Sequence, residues 1–238
     1  MTGNIRSFIQ IASFCCLLSV LTTIGIHSDL FNLGALNFEA RLLLFENPKY
    51  LLNRFWIIVH CLLVLLSMLG VFLIGFKKKP ATAILGYTFF SVFVFAEIFR
   101  QMFVLFYLNN LRKLYLETTD QTIQTILSEE INHASLLGYS LFGLFIVAFA
   151  LGNVCYAFCI YNSNKFDKIL SVLLFVWGIG NLIAFANEFI QVEVIYKVLK
   201  HFNIIYQPLM RISLAIWLYL NFKRMRGTSS EDLEGIHS

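Results

Sequence analysis

Charge is what this chain has least of. Asp, Glu, Lys and Arg supply 13% of its 238 residues, about half of the roughly 25% found in soluble domains. Apolar residues make up 58%, and the few charges fall between long apolar runs, a distribution that suits a bilayer. Also missing are the short motifs that announce chemistry. No GxGxxG, P-loop, HExxH or GxSxG occurs, which removes the motif-borne signs of dinucleotide, nucleotide triphosphate, zinc-protease or serine-hydrolase function. No basic, aromatic-interleaved patch accompanies the net charge of +4, so nucleic acid is not an expected partner. The five cysteines, Cys15, Cys16, Cys61, Cys155 and Cys159, lie in apolar segments without disulfide spacing. Cys155 and Cys159 stand at i, i+4, but no His or carboxylate joins them at metal-ligand spacing, and they read as small apolar side chains. Neither a metal nor a cofactor is expected.

What the chain does have is six apolar segments long enough to cross about 30 Å of hydrocarbon at ~1.5 Å per residue. They cover approximately 8–26, 51–76, 81–108, 134–161, 169–190 and 202–222. Barrel-type alternation is absent, and a backbone in lipid must satisfy its own hydrogen bonds, so these segments are predicted helices. The fold class expected is an all-α polytopic membrane protein, a six-helix bundle over residues 1–226 followed by a disordered polar tail at 227–238. The first segment is longer than a signal-peptide core and lacks a small-x-small cleavage site, so it reads as a helix of the bundle.

Lysine and arginine placement predicts orientation. Lys77, Lys78 and Lys79 mark one connection, Lys165 and Lys168 another, with Arg6 at the start and Lys223, Arg224 and Arg226 at the end. The alternate connections carry Asp29, Glu39, Glu46, Glu117, Asp120, Glu129 and Glu130. The pattern places both termini in the cytoplasm. Of the outer connections, Leu30–Phe45 reads as an interfacial amphipathic helix. The stretch after the third helix, with Ile123, Ile126, Leu127 and Ile131 at helical spacing, reads either as a solvated connector or as a lid.

Several polar residues interrupt the predicted spans. Glu97, Arg100 and Gln101 share one face of the third helix at i, i+3, i+4, with Arg100 and Glu97 about 12 Å and 16 Å from its outer end. Each such charge costs on the order of 2.5–3.5 kcal/mol at mid-helix. Arg54 and His60 lie on the second helix, separated by about 120° around it. Asn181 and Glu188 share a face of the fifth, and Arg211 follows Gln207-Pro208 in the sixth, where the proline leaves a carbonyl without its helical partner. Nearly all occupy the outer half. Charges in lipid turn toward one another or toward a wet cavity, so a polar pocket open to the outer face is expected. Three arginines against two glutamates would suit a carboxylate or phosphate.

Simpler readings stand beside the pocket. Glu97 and Arg100 can pair along their helix, Arg211 can bond the carbonyl freed by Pro208, Arg54 can snorkel to the headgroups, and His60 can bridge helices. Ala148/Gly152 and Ala134/Gly138 read as close-packing pairs.

The stretch HASLLGYSLFGLFIVAFALGNVCYAFCIYNSNKFDKILSVLLFVWGIGNLI, His133 to Ile183, resembles an uncharacterised bacterial family of six-helix membrane proteins. His133, Tyr161 and Gly178-Ile179-Gly180 carry the likeness. ENPKYLLNRFWIIVHCLL, EIFRQMFVLFYLNNL and RISLAIWLYLNFK are similar to that family's second, third and last helices. The resemblance implies six helices in a bacterial cytoplasmic membrane and no particular activity.

The leading expectation is a protein that binds a lipid headgroup or a small amphipathic anion, or serves as an accessory subunit of a membrane-protein partner. The binding residues expected are Arg54, His60, Glu97, Arg100, Gln101, Asn181, Glu188 and Arg211. The alternative is a small secondary transporter, although no inverted repeat is visible and a single membrane segment is proline-interrupted. An intramembrane enzyme comes third, since His60, His133, Glu97 and Glu188 lack a nucleophile or metal ligands beside them.

Overall fold

The computed structural model describes residues 2–27, 36–162 and 164–234, and these are helical with no strand among them. Helix α1 spans Thr2–His27, α2 Phe38–Leu42, α3 Pro48–Phe76, α4 Pro80–Met102, α5 Asn109–Glu117, α6 Gln121–Ile160, α7 Lys165–Ile190 and α8 Glu193–Glu234. Five helical stretches are long and apolar enough to cross a membrane: Asn4–Ile26, Pro48–Phe76, Pro80–Glu117, Gln121–Ile160 and Lys165–Ile190. The segment predicted as the sixth lies inside α8 and is not among them. Asn203, Gln207, Pro208 and Arg211 dilute its apolar character.

Helix ends fall where capping chemistry puts them. The Asn47 side chain accepts from the Lys49 and Tyr50 amides, and Pro48 occupies the first turn, so α3 begins before residue 51. Asp120 caps α6 and Asn164 caps α7 in the same way. As a result α6 starts well before residue 134 and runs for 40 residues, about 60 Å at 1.5 Å per residue and roughly twice the hydrocarbon thickness. The connector-or-lid stretch is therefore helix. A π-helical turn at Phe103–Leu108 joins α4 to α5 without a break. Its wider turn carries both Leu108 and Asn109 inward. Of the predicted interfacial segment, 28–35 lies outside the described residues, and the remainder forms α2 and a 3₁₀ turn at Leu43–Glu46. Helix α8 continues to Glu234, past the tail boundary expected at 227, while 235–238 lie outside the described residues.

The long helices form a closed ring in which each is antiparallel to the next, in the order α1, α3, α4, α6, α7, α8 and back to α1. The closure is visible in paired contacts. Ser13 Oγ donates to the Ala215 carbonyl at 2.9 Å, Cys16 Sγ donates to the Arg211 carbonyl at 3.2 Å, and Arg6 lies over the Phe222 ring. Lys79 Nζ donates to the Phe158 and Tyr161 carbonyls at 2.8 and 2.7 Å, capping α6 from the start of α4. Lys77–Lys79, the α6–α7 turn, Arg6 and Lys223 thus share one end of the ring.

Its interior is aromatic. Phe90 stacks on Tyr156 at 5.4 Å, Phe149 meets Trp177 edge-on at 4.8 Å, and the Tyr156 hydroxyl donates to the Met68 carbonyl. Outside the ring, α2, α5 and the start of α6 gather Leu42, Leu44, Tyr50, Leu108, Leu111 and Ile131 into a second, smaller core.

Small residues decide how close the helices come. A β-carbon on Gly178 would stand 2.8 Å from the Ala150 carbonyl and 2.7 Å from Val154, and one on Gly152 would press into the Phe90 ring. The Ala148/Gly152 pair therefore packs as expected, but Ala134/Gly138 does not, because nothing lies within 4 Å of Gly138. Gly138 faces away from the neighbours that bury Ala134. Gly178→Val should lower stability by about 1–3 kcal/mol through overpacking against backbone, whereas Gly138→Ala should not lower the unfolding temperature and should raise it slightly, by relieving a helix-interior glycine. Thermal unfolding in detergent reads both, and equal losses would contradict this assignment of the α6–α7 contact.

Candidate functional site

The charges of α4 close into a network on the face that their spacing predicts. Arg100 donates twice to Glu97, from Nε to Oε2 at 2.8 Å and from a terminal nitrogen to Oε1 at 2.6 Å. Gln101 Nε2 donates to the same Oε1 at 2.6 Å. From α3, Arg54 donates to Gln101 Oε1 at 3.1 Å. Glu97 and Gln101 are buried, whereas the Arg100 side chain keeps 22% of its surface exposed. Two rings carry the guanidinium faces: Tyr50 lies 4.5 Å from that of Arg54, and Phe142 of α6 lies 5.4 Å from that of Arg100. A forked guanidinium, an amide and a carboxylate on one face thus satisfy the carboxylate with three short charge-assisted bonds, which offsets its desolvation.

Arg211 enters a different network. One terminal nitrogen lies 3.2 Å from His60 Nε2 and the other 3.5 Å from Ser19 Oγ, while His60 Nδ1 stands 2.7 Å from Thr22 Oγ1. Arginine can only donate, so His60 accepts at Nε2 and carries its proton on Nδ1. That proton goes to Thr22, whose hydroxyl donates to the Ser19 carbonyl at 3.1 Å. The bonds run in one direction through three helices, α8 to α3 to α1, with Trp177 of α7 under the guanidinium at 5.8 Å. His60 is thereby a helix-bridging residue. The partners of Arg211's side chain are His60 and Ser19, where a bond to the carbonyl freed by Pro208 was one sequence reading. Along α3 this network lies six residues, or about 9 Å, deeper than Arg54.

Four of the eight expected residues, Arg54, Glu97, Arg100 and Gln101, therefore meet directly, and His60 and Arg211 meet each other. Asn181 and Glu188 join neither group: Asn181 Nδ2 donates back to the Trp177 carbonyl at 2.7 Å, and Glu188 is exposed near the α7–α8 corner. Glu188 does border two concavities. One of about 370 Å³ lies at that corner with Asn187 and Tyr196. The other, about 490 Å³, is an apolar groove between α6 and α7 lined by Tyr139, Phe142, Ile146, Phe185 and Phe189. Phe142 belongs both to this groove and to the seat of Arg100.

Sequence reasoning missed four buried polar contributors, Tyr50, Asn109, Arg112 and Asp167. Tyr50 and Asn109 both accept from Arg112, at 3.0 and 2.9 Å. These stand in stretches assigned to a helix boundary and a connector, although Asn109 and Arg112 at i, i+3 between inward leucines carry a helical signal. Asp167 accepts from Trp217 Nε1 at 2.9 Å and is buried at the lysine end of the ring. Among the described residues no His, Cys, Asp and Glu group could hold a metal.

Comparison with known proteins adds no identity: no family model matches the chain, and neither a curated protein nor a solved structure does.

His60→Ala should cost about 1–3 kcal/mol, because a buried guanidinium loses its acceptor. Replacing both partners, as in His60→Leu with Arg211→Met, should recover most of that loss, since an apolar pair of similar volume needs no partner. A double-mutant cycle by unfolding in detergent measures it, and additive losses would show that the two side chains are not coupled.

Proposed function

We propose that the chain is an integral membrane protein of six spans with both termini cytoplasmic, which holds a lipid headgroup or small amphipathic anion beside Arg54 and Arg100. The observation that carries the reading is the Phe142 ring. The ring lies 5.4 Å from the partly exposed Arg100 guanidinium and is also part of the wall of an apolar groove of about 490 Å³. A cationic group and an apolar slot that share one aromatic ring suit a molecule that has a charged head and an apolar tail. Glu97 holds the Arg100 fork in place, and Gln101 holds that of Arg54, so the donors are oriented before a ligand arrives.

The sixth span is supported by register. Residues 211–222 of α8 lie against 6–19 of α1, so a membrane that α1 crosses must also surround that part of α8. The gathering of lysines at one end supports cytoplasmic termini. The bacterial membrane rests on the family likeness of the quoted segments, and a role as an accessory subunit is compatible with the same site.

Native mass spectrometry of protein purified in mild detergent should find a retained small molecule, depleted in Arg54→Gln and Arg100→Gln while both variants remain monodisperse. Arg54→Gln is the safer variant, because it leaves the Glu97–Arg100 pair intact. Equal retention in folded variants would remove the ligand role. For topology, a C-terminal green fluorescent protein fusion should fluoresce and a C-terminal alkaline phosphatase fusion should stay inactive. The reverse pattern would overturn the orientation.

A further inference from the structure

The site just described contains a third arginine. Arg112 of α5 is 6% exposed, and its bonds to the Tyr50 hydroxyl and to Asn109 fix it against the start of α3. Its guanidinium carbon lies 5.6 Å from the Tyr50 ring centroid, and that of Arg54 lies 4.5 Å from the same point. The two guanidinium groups are therefore within about 10 Å of each other, with one aromatic ring between their contacts.

Their charge balance is unusual. Glu97 is the carboxylate of this network, and Arg100 occupies it with both arms of its fork. Neither Arg54 nor Arg112 makes an ion pair with a carboxylate among the described residues. In each, the buried Nε has no acceptor. Hydroxyl and amide oxygens satisfy single N–H groups but cancel no charge, and a buried cation without an anion is costly. Once Glu97 and Arg100 neutralise each other, two positive charges remain beside one ring.

We infer that Arg54 and Arg112 form a recognition site for a phosphomonoester, the terminal phosphate of a membrane-borne lipid. The inference rests on the lipid-binding reading above and narrows it. A phosphomonoester carries nearly two negative charges near neutral pH and offers three terminal oxygens, so it matches both charges and supplies acceptors for both idle donors. A phosphodiester headgroup brings one charge and two such oxygens, and leaves one arginine uncompensated. Guanidinium forks also suit phosphate oxygens geometrically. Free inorganic phosphate presents the same chemistry without a tail, while the apolar groove that shares Phe142 with Arg100 favours the lipid.

The experiment compares thermal stabilisation of the detergent-solubilised full chain by dioleoyl phosphatidic acid and by dioleoyl phosphatidylglycerol, which share their tails and differ in the phosphate ester. Half-maximal stabilisation should need about tenfold less of the phosphomonoester lipid, the effect of one added charge-assisted contact. Arg112→Gln should remove that preference and leave the phosphatidylglycerol response in place, and Arg112→Lys should retain part of it. The wild-type comparison is decisive without any variant. Equal responses would overturn the phosphomonoester assignment and leave lipid binding standing, whereas no response to either lipid would remove both. Inorganic phosphate at millimolar concentration should compete only weakly. Full competition would support the same phosphate chemistry with a soluble source in place of the lipid.

Discussion

The fold turns on one carboxylate. Glu97 sits in the interior of a chain that has little water to offer it, and three hydrogen bonds from Arg100 and Gln101 hold it there. Arg100 supplies the neutralising charge and Gln101 a further donor, which together offset the cost of burying the carboxylate. All three side chains belong to α4, so these bonds hold within the helix, and the bond that orients α4 toward α3 is the one from Arg54 to Gln101. That bond ties α3 to α4 on the face that carries the carboxylate. Apolar packing between lipid-embedded helices specifies rotation weakly, because a leucine loses little by facing lipid instead of protein. Polar bonds supply the specificity that packing alone leaves open.

A second polar path does the same for the other half of the ring. Arg211, His60, Thr22 and Ser19 bind α8, α3 and α1 in one directed series, and Arg211's inability to accept sets the histidine tautomer. The two networks meet on α3, which faces α4 with Arg54 and faces α1 and α8 with His60. Separation of these residues around one helix thus becomes separation of two polar networks. The His60 network closes the ring, and the Arg54 network leaves Arg100 partly exposed over Phe142. Arg112 extends the Arg54 network outward through Tyr50, whose ring takes one guanidinium from within the bundle and one from α5.

The helix extensions beyond the ring have a physical purpose in this arrangement. The π-helical turn after α4 brings Asn109 and Arg112 to the α3 side while Leu108 and Leu111 stay in the smaller core. With regular α-helix throughout, the inward stripe would drift away from α3 over this length. The extra residue in the turn is what allows a single continuous helix to serve the interior of the ring and then the outer cap.

The all-helical class, the places of the long helices and the shared face of Glu97, Arg100 and Gln101 were legible from the sequence, because each depends on local chemistry: apolar length, backbone self-sufficiency in lipid and 3.6-residue periodicity. Helix starts were less so, since Asn47, Asp120 and Asn164 are short polar residues whose capping is read only once the helix is known. What the tertiary structure alone decided was which polar residues meet. Arg54 and His60 stand on one helix yet serve different partners, Arg211 finds a histidine and a serine, Glu188 stays apart at an exposed corner, and Arg112 becomes part of the site from a stretch assigned to a connector. The reason is geometric: depth along a helix follows from counting residues, but azimuth relative to neighbours depends on the order of helices around the ring, which no segment of the chain encodes by itself.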